Sequence, residues 1–217
     1  MDLFYLKINL GKRKVDACSQ VNTFETEFRP IVCLTSDKSS AVRSRFDAAH
    51  ELGHVVLHSW ADEEYLSIKE NHERFEKEAH AFAGAFLLPF ETFAHETYSL
   101  SSIDSFINLK KRWKVSIGAM VRRCFDTELI NKNQYDYLQR QISMRRYRTN
   151  EPLDDELPDE QPQVFRKAVE ILLEHNVQSA DEIREDIRLP LCDLEMLCGL
   201  DSPLLRKKRE PFLKLVQ

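Results

Sequence analysis

His50-Glu51-Leu52-Gly53-His54 decides how this chain is read. On an α-helix, residues i and i+4 lie one turn apart on the same face. Two imidazoles so placed can reach one Zn²⁺ at roughly 2.0–2.1 Å. Glu51 sits beside them, near enough to act as a base toward a water activated there. One helical turn thus offers two metal ligands and a proton acceptor. The competing reading is an amphipathic helix with two satisfied histidines.

A helical wheel at about 100° per residue weighs the two. Phe46, Ala49, Leu52, Gly53, Val56 and Leu57 fall on one apolar arc. His50, Glu51, His54 and His58 share the adjoining polar edge. The wheel predicts a buried helix that holds its ligand edge at the rim of a core. Gly53 in mid-helix costs about 1 kcal/mol against Ala and implies a packing reason.

The chain has 217 residues, enough for one domain with a small appendage. An apolar fraction of 42% can build a core, and 31% charged residues with only 5 Gly suit a helix-rich chain. A formal charge of -5 argues against non-specific nucleic-acid binding by the whole chain. No apolar run approaches the roughly 20 residues that span a bilayer, and the N-terminus lacks a signal-peptide pattern. Cys18, Cys33, Cys124, Cys192 and Cys198 are scattered and contain no Cys-x-x-Cys, so reduced thiols of a cytoplasmic protein are expected.

Pro30 to Leu34 reads as a strand, and Phe4 to Leu10 as a less regular one. Ser36 to Ser40 reads as a turn before a helix from Val42 to His58. The polar stretch Ala61 to Asn71 is placed across the mouth of the site. A second helix runs from Glu73 to Leu88 and stops at Pro89. Its small residues, Ala79, Ala81, Ala83, Gly84 and Ala85, would admit another helix closely. Ser102, Ser116 and Asn133 are expected N-caps of three further helices. Glu151 to Gln163, rich in Asp, Glu and Pro, is expected as an exposed linker. Helical patterns follow at Val164 to His175, Ala180 to Ile187 and Pro190 to Cys198, with Gly199 as a stop.

A catalytic zinc needs a third protein ligand and an open position. Glu76, Glu78 and His80 are the candidates on the second helix. The wheel does not choose, because Glu76 and Glu78 flank the apolar arc equally. His80, at i+4 from Glu76, could steady the site from behind.

Arg45-Phe46-Asp47-Ala48-Ala49-His50-Glu51-Leu52-Gly53-His54-Val55-Val56-Leu57-His58, followed by Glu76-Lys77-Glu78-Ala79-His80-Ala81-Phe82-Ala83-Gly84-Ala85-Phe86-Leu87-Leu88-Pro89, resembles the ImmA/IrrE metallopeptidases. The likeness is strong from about Val15 to Pro89 and weaker to about Arg148. It implies an α+β fold: a helix-rich, zincin-like core with a small antiparallel or mixed sheet and a C-terminal helical appendage. The expected division is 1–148 for that core, 149–163 for the linker and 164–217 for the appendage. The resemblance implies that His50, His54 and Glu76 bind Zn²⁺ and that Glu51 is the base. It selects Glu76 over Glu78, since the family's carboxylate stands four positions before an Asn, here His80. His58 and His80 are then supporting groups, and a closed four-ligand site is not expected. Tyr65, Arg45, His95 and Tyr98 are the candidate oxyanion donors.

Members of that family cut helix-turn-helix repressors of mobile elements, phage or stress genes, and many carry a helix-turn-helix domain of their own. The chain begins too near the metal helix to hold one ahead of it, so a separate regulator or a domain outside this sequence is expected. A different class of function is a DNA-binding or antirepressor module with a structural or vestigial zinc. It would use Lys110, Lys111, Arg112, Arg122 and Arg123 along Ile103 to Phe125. Ile117, Met120 and Val121 look core-facing there, which favours a packed helical hairpin, and the acidic linker could neutralise its basic face. The basic run Arg206-Lys207-Lys208-Arg209 reads as a solvated end.

Overall fold

The computed structural model describes residues 3–8, 17–24, 27–35, 40–97, 102–200 and 203–205. It is a helix-rich α+β fold with a small three-stranded mixed sheet. The chain divides into two compact units, Met1–Tyr5 with Asn9–Glu160 and Leu6–Ile8 with Gln161–Gln217. The expected turn at Ser36 to Ser39, Tyr98 and the basic run 206–209 lie outside the described residues.

The strands are β1 (Phe4–Ile8), β2 (Ala17–Phe24) and β3 (Glu27–Thr35), in the order β1-β3-β2. β2 runs antiparallel to β3, with Ser19 opposite Val32 and Cys18 opposite Cys33. Side chains alternate across a strand. Val32 and Leu34 are buried, while Cys33 between them is half-buried. β2 was not expected: its Ala17-Cys18-Ser19-Gln20 start holds too little apolar character to read as a strand.

α1 (Ala41–His58) carries the HExxH turn. It presents one stripe to the sheet, where Val55 clusters with Val32 and Leu34 and with Tyr5, Ala17 and Ala48 at the edge. Another face meets α3 (Lys69–Leu87). Two packing surfaces correct the single apolar arc: Val55 is buried, whereas Val56 and Leu57 are 51% and 39% exposed. The stretch expected as a polar crossing folds instead as α2 (Glu63–Ser67), capped by Asp62, and then as the first turn of α3.

Gly53 has the packing reason its position implies. A Cβ there would stand 3.1 Å from Phe82 and 3.2–3.3 Å from the Ala79 backbone. Ala79 and Ala83 are fully buried. Backbone meets backbone at this crossing, so α1 and α3 lie close enough for short side chains to share a site.

α4 (Phe90–Thr97), α5 (Ile103–Trp113), α6 (Ile117–Asp126) and α7 (Lys132–Met144) build the second core of this unit. Phe93, Phe106, Ile117, Met120, Val121 and Leu138 are its buried centre. α4 was not expected, because Pro89 reads as a stop; it is also where the next helix starts. Ser102 and Ser116 cap α5 and α6 as their positions predict. Asn133 does not cap α7. Asn131 does, in a reciprocal capping box with Gln134, which satisfies two backbone donors where one was foreseen.

The expected exposed linker is overturned at two residues. Glu151 and Asp154 are buried against Lys110, itself fully buried. Lys110 Nζ donates to Glu151 Oε2 at 2.9 Å and to Asp154 Oδ1 at 2.6 Å. Glu151 also accepts the Ile117 and Gly118 N–H groups at the start of α6. Asp154 accepts from Ser40, which precedes α1. Composition made this stretch look solvated; Glu151 and Asp154 have specific buried partners instead.

The second unit holds α8 (Val164–Glu174), α9 (Ala180–Ile187), α10 (Leu191–Leu197) and a 3₁₀ turn (Pro203–Leu205) around Val169, Ile183, Leu194 and Leu205. Gly199 has a φ of +61°, the left-handed stop expected of it. No helix among the described residues is long and apolar enough to cross a membrane.

Candidate metal centre

Residues of one helix face recur at intervals of three and four. In α1 this gives two working faces. Ser44, Ala48, Glu51 and Val55 form the sheet-facing stripe, and Glu51 is buried within it. His50 and His54 lie on the side toward α3. Glu51 stands on the sheet side of the HExxH turn, near enough to His54 and Glu76 to respond to their charges, and the imidazoles lie toward α3.

Glu76 faces both imidazoles. Its Oε2 lies 3.3 Å from His50 Nε2 and its Oε1 lies 3.3 Å from His54 Nε2. The two Nε2 atoms are 3.1 Å apart. Ligands at roughly 2.0–2.1 Å from a tetrahedral ion are separated by about 3.3–3.4 Å. The observed separations of 3.1–3.3 Å lie close to that figure. Two imidazole nitrogens and a carboxylate crowd together with more lone pairs than protons, an arrangement that a cation satisfies. This donor set fits a metal ion of the zinc type.

His50, Glu76 and His80 also offer donor atoms within 4.8 Å of one another. The His80 ring lies 4.4 Å from that of His50 and 5.8 Å from Phe46, on an exposed residue. The tighter set is His50, His54 and Glu76, and His80 stands at its edge. His50 Nδ1 is buried with no hydrogen-bond partner among the described residues.

Glu78 goes elsewhere. Its Oε2 lies 2.9 Å from His58 Nε2, and His58 Nδ1 lies 3.1 Å from His54 Nδ1. A carboxylate can only accept, so His58 donates to it through Nε2–H. In the tautomer that continues this chain of bonds, His58 accepts at Nδ1 from His54 Nδ1–H. This leaves His54 Nε2 with a free lone pair, directed at His50 and Glu76. His58 is buried and stacked on Phe75 at 4.1 Å between ring centroids. Arg74 stands 3.7 Å from Glu78 on the outer side. The two glutamates that the wheel could not separate thus serve different histidines, one turn apart.

Burial lowers the His50 pKa, helped by neighbouring His80, against the pull of Glu76 and Asp47. Burial likewise lowers that of His54, helped by His50 and opposed by Glu76 and Glu51. Both imidazoles are biased to the neutral form that metals require. Burial raises the Glu51 pKa, and a hydrogen bond from Ser19 on β2 and the charge of His54 offset it in part. A carboxyl raised in this way holds a proton more readily than a free one, as a group that takes and returns a proton must.

A model of the IrrE N-terminal-like domain, Peptidase_M78, matches residues 2–125. The chain belongs to this family. Membership supports a metallopeptidase-type function, and His50, Glu76 and His80 form a possible metal-binding group. No curated protein matches the chain.

The other sequence candidates fall outside the cluster. Tyr65 accepts a hydrogen bond from Arg74, Arg45 pairs with Glu160, and His95 lies in the last turn of α4. Of the five basic residues offered for nucleic acid, Lys110 is sealed in its carboxylate pair. Arg112 pairs with Glu96 and Arg122 with Asp126, and Arg123 donates to the Leu88 carbonyl. Lys111 is exposed. Ser19, which reaches Glu51, was missed because its strand was missed.

Proposed function

We propose that this chain is a zinc-dependent endopeptidase of the cytoplasm, with a helix-turn-helix repressor as its substrate. The observation that carries the reading is the convergence of His50, His54 and Glu76 beside buried Glu51. The repressor substrate is supported by the likeness to ImmA/IrrE peptidases. His50, His54 and Glu76 would hold the ion. When bound, zinc lowers the pKa of a water toward about 7 and polarises a carbonyl as a Lewis acid.

The protein's own groups do the rest. His58 and Glu78 hold His54 in the tautomer whose Nε2 is bare. Glu51 takes the proton of the attacking water and returns it to the leaving amine. Ser19 fixes the carboxylate on the sheet side of α1.

Glu51→Gln keeps the shape and all three proposed ligands. It is expected to retain stoichiometric metal and to lower cleavage of a helix-turn-helix repressor substrate by about 10²–10⁴-fold. Metal content and cleavage are measured on the same preparation. Equal cleavage by wild type and variant would sink the mechanism. Metal binding without cleavage by either would favour a non-proteolytic antirepressor.

A further inference from the structure

Cys18 and Cys33 are directly opposite each other on β2 and β3. Nothing in their spacing announces this, because the strand that brings them together is hidden in sequence. Opposed residues of an antiparallel pair have Cα atoms about 4.5 or 5.5 Å apart, and both distances lie within the range a disulfide spans. The two thiols share a hydrogen bond. Cys18 is exposed and Cys33 half-buried. The other cysteines differ: Cys124 and Cys198 are buried, and Cys192 is exposed in the other unit.

We propose that Cys18 and Cys33 form a reversible thiol–disulfide pair, closed by a hydroperoxide into a cross-strand disulfide. Cys18, the accessible thiol, reacts first. Its thiolate attacks the peroxide; an S–O bond forms, the O–O bond breaks, and an alcohol or water leaves. Cys33 then attacks the sulfenic sulfur. The S–S bond forms, the S–O bond breaks, and the departing hydroxide leaves as water with the Cys33 proton. Two thiols lose two electrons in all, and one hydroperoxide is reduced. Burial and the neighbouring Cys18 raise the Cys33 pKa, so Cys33 keeps its proton until a sulfenic acid forms beside it.

The location gives the bond a consequence. Ser19 follows Cys18 and points to the opposite face of the strand, where it hydrogen-bonds Glu51. A disulfide ties β2 to β3 directly behind that contact. Exposed disulfides between adjacent strands are of the labile, regulatory kind. The pair stands whether or not the chain cuts protein.

The test uses the full chain carrying Cys192→Ser, which removes the exposed thiol of the other unit. The protein is oxidised with hydrogen peroxide, alkylated and mapped without reduction. A peptide linked through Cys18 and Cys33 is expected, with both residues lost to alkylation and regained with dithiothreitol, while Cys124 and Cys198 stay reduced. In Cys33→Ser, Cys18 is expected to stop as a sulfenic acid trapped by dimedone. Backbone amides of β2 are expected to exchange more slowly in the oxidised form. Full alkylation of both residues after peroxide, or links only between chains, would overturn the proposal.

Discussion

Two polar clusters among the described residues of the larger unit are built on opposite rules. Around Lys110, one ammonium meets two carboxylates, and the carboxylate oxygens also take backbone and serine donors. Charge and hydrogen bonds close on themselves. Around His50, two imidazoles and a carboxylate converge with their facing atoms 3.1–3.3 Å apart. A closed cluster holds elements together. A cluster left short of positive charge is a place for an ion. The difference separates a structural polar core from a candidate ion site without reference to any motif.

That contrast can be broken most forcefully at Lys110. Lys110→Met leaves two buried carboxylates without their counter-charge, which costs about 3–5 kcal/mol. Urea unfolding should show this loss, while metal stoichiometry in the folded fraction stays at the wild-type level. A normal melt, or a lost metal, would erase the distinction between the clusters.

Acidity probes the same cluster more gently. Burial pushes the Asp154 carboxyl up, but hydrogen bonds from Lys110, the Glu151 N–H and Ser40 more than offset it, so its pKa lies below the ordinary 3.8. The unfolded chain then binds the proton more readily than the folded one. Stability from this group is present above 3.8 and is lost as pH falls through the lower folded value. Asp154→Asn should flatten the acid limb of the stability profile in that window, as read by thermal melts. An unchanged acid limb would remove Asp154 from the account.

At the metal centre, His58→Phe keeps the ring on Phe75 and removes both hydrogen bonds. Loss of such support lowers metal affinity by about 10–100-fold. Chelator competition measures it, and Glu78→Ala, at a half-exposed side chain, should move affinity in the same direction. Wild-type affinity in both variants would reduce His58 to packing. The smallest expected effect is at Gly53. Ala there gains helix propensity of about 1 kcal/mol but is overpacked by about 1–3 kcal/mol. A net loss of about 1 kcal/mol is expected, with weaker metal binding because Ala79 and hence Glu76 are pushed from α1. A more stable Gly53→Ala with tighter metal binding would refute the close-crossing account.

The two clusters also differ in how far sequence exposes them. His50 and His54 are one turn apart, so local geometry reveals them. Glu76 is legible by resemblance alone, because a wheel cannot say which side of α3 meets α1. Glu78 and His58 needed the crossing angle before their roles could be told apart. Lys110 looked like part of a basic surface because its partners stand 41 and 44 residues away. Ser19 and the Cys18–Cys33 pair were hidden for another reason. β2 owes its existence to pairing with β3 rather than to its own apolar content. The helices were readable through caps and periodicity, with α4 missed where Pro89 starts a helix as well as stopping one.

Ser40 receives a last consequence from its bond to Asp154, 114 residues away. The start of the metal helix is tied to a residue synthesised long after the helix itself. During translation at about 5–20 residues per second, α1 leaves the ribosome, and Lys110 follows, well before either finds this partner. The order of synthesis thus places the anchoring of the HExxH helix among the late events of this unit's assembly. A nascent chain paused before Asp154 would display the whole motif without the tether at its foot.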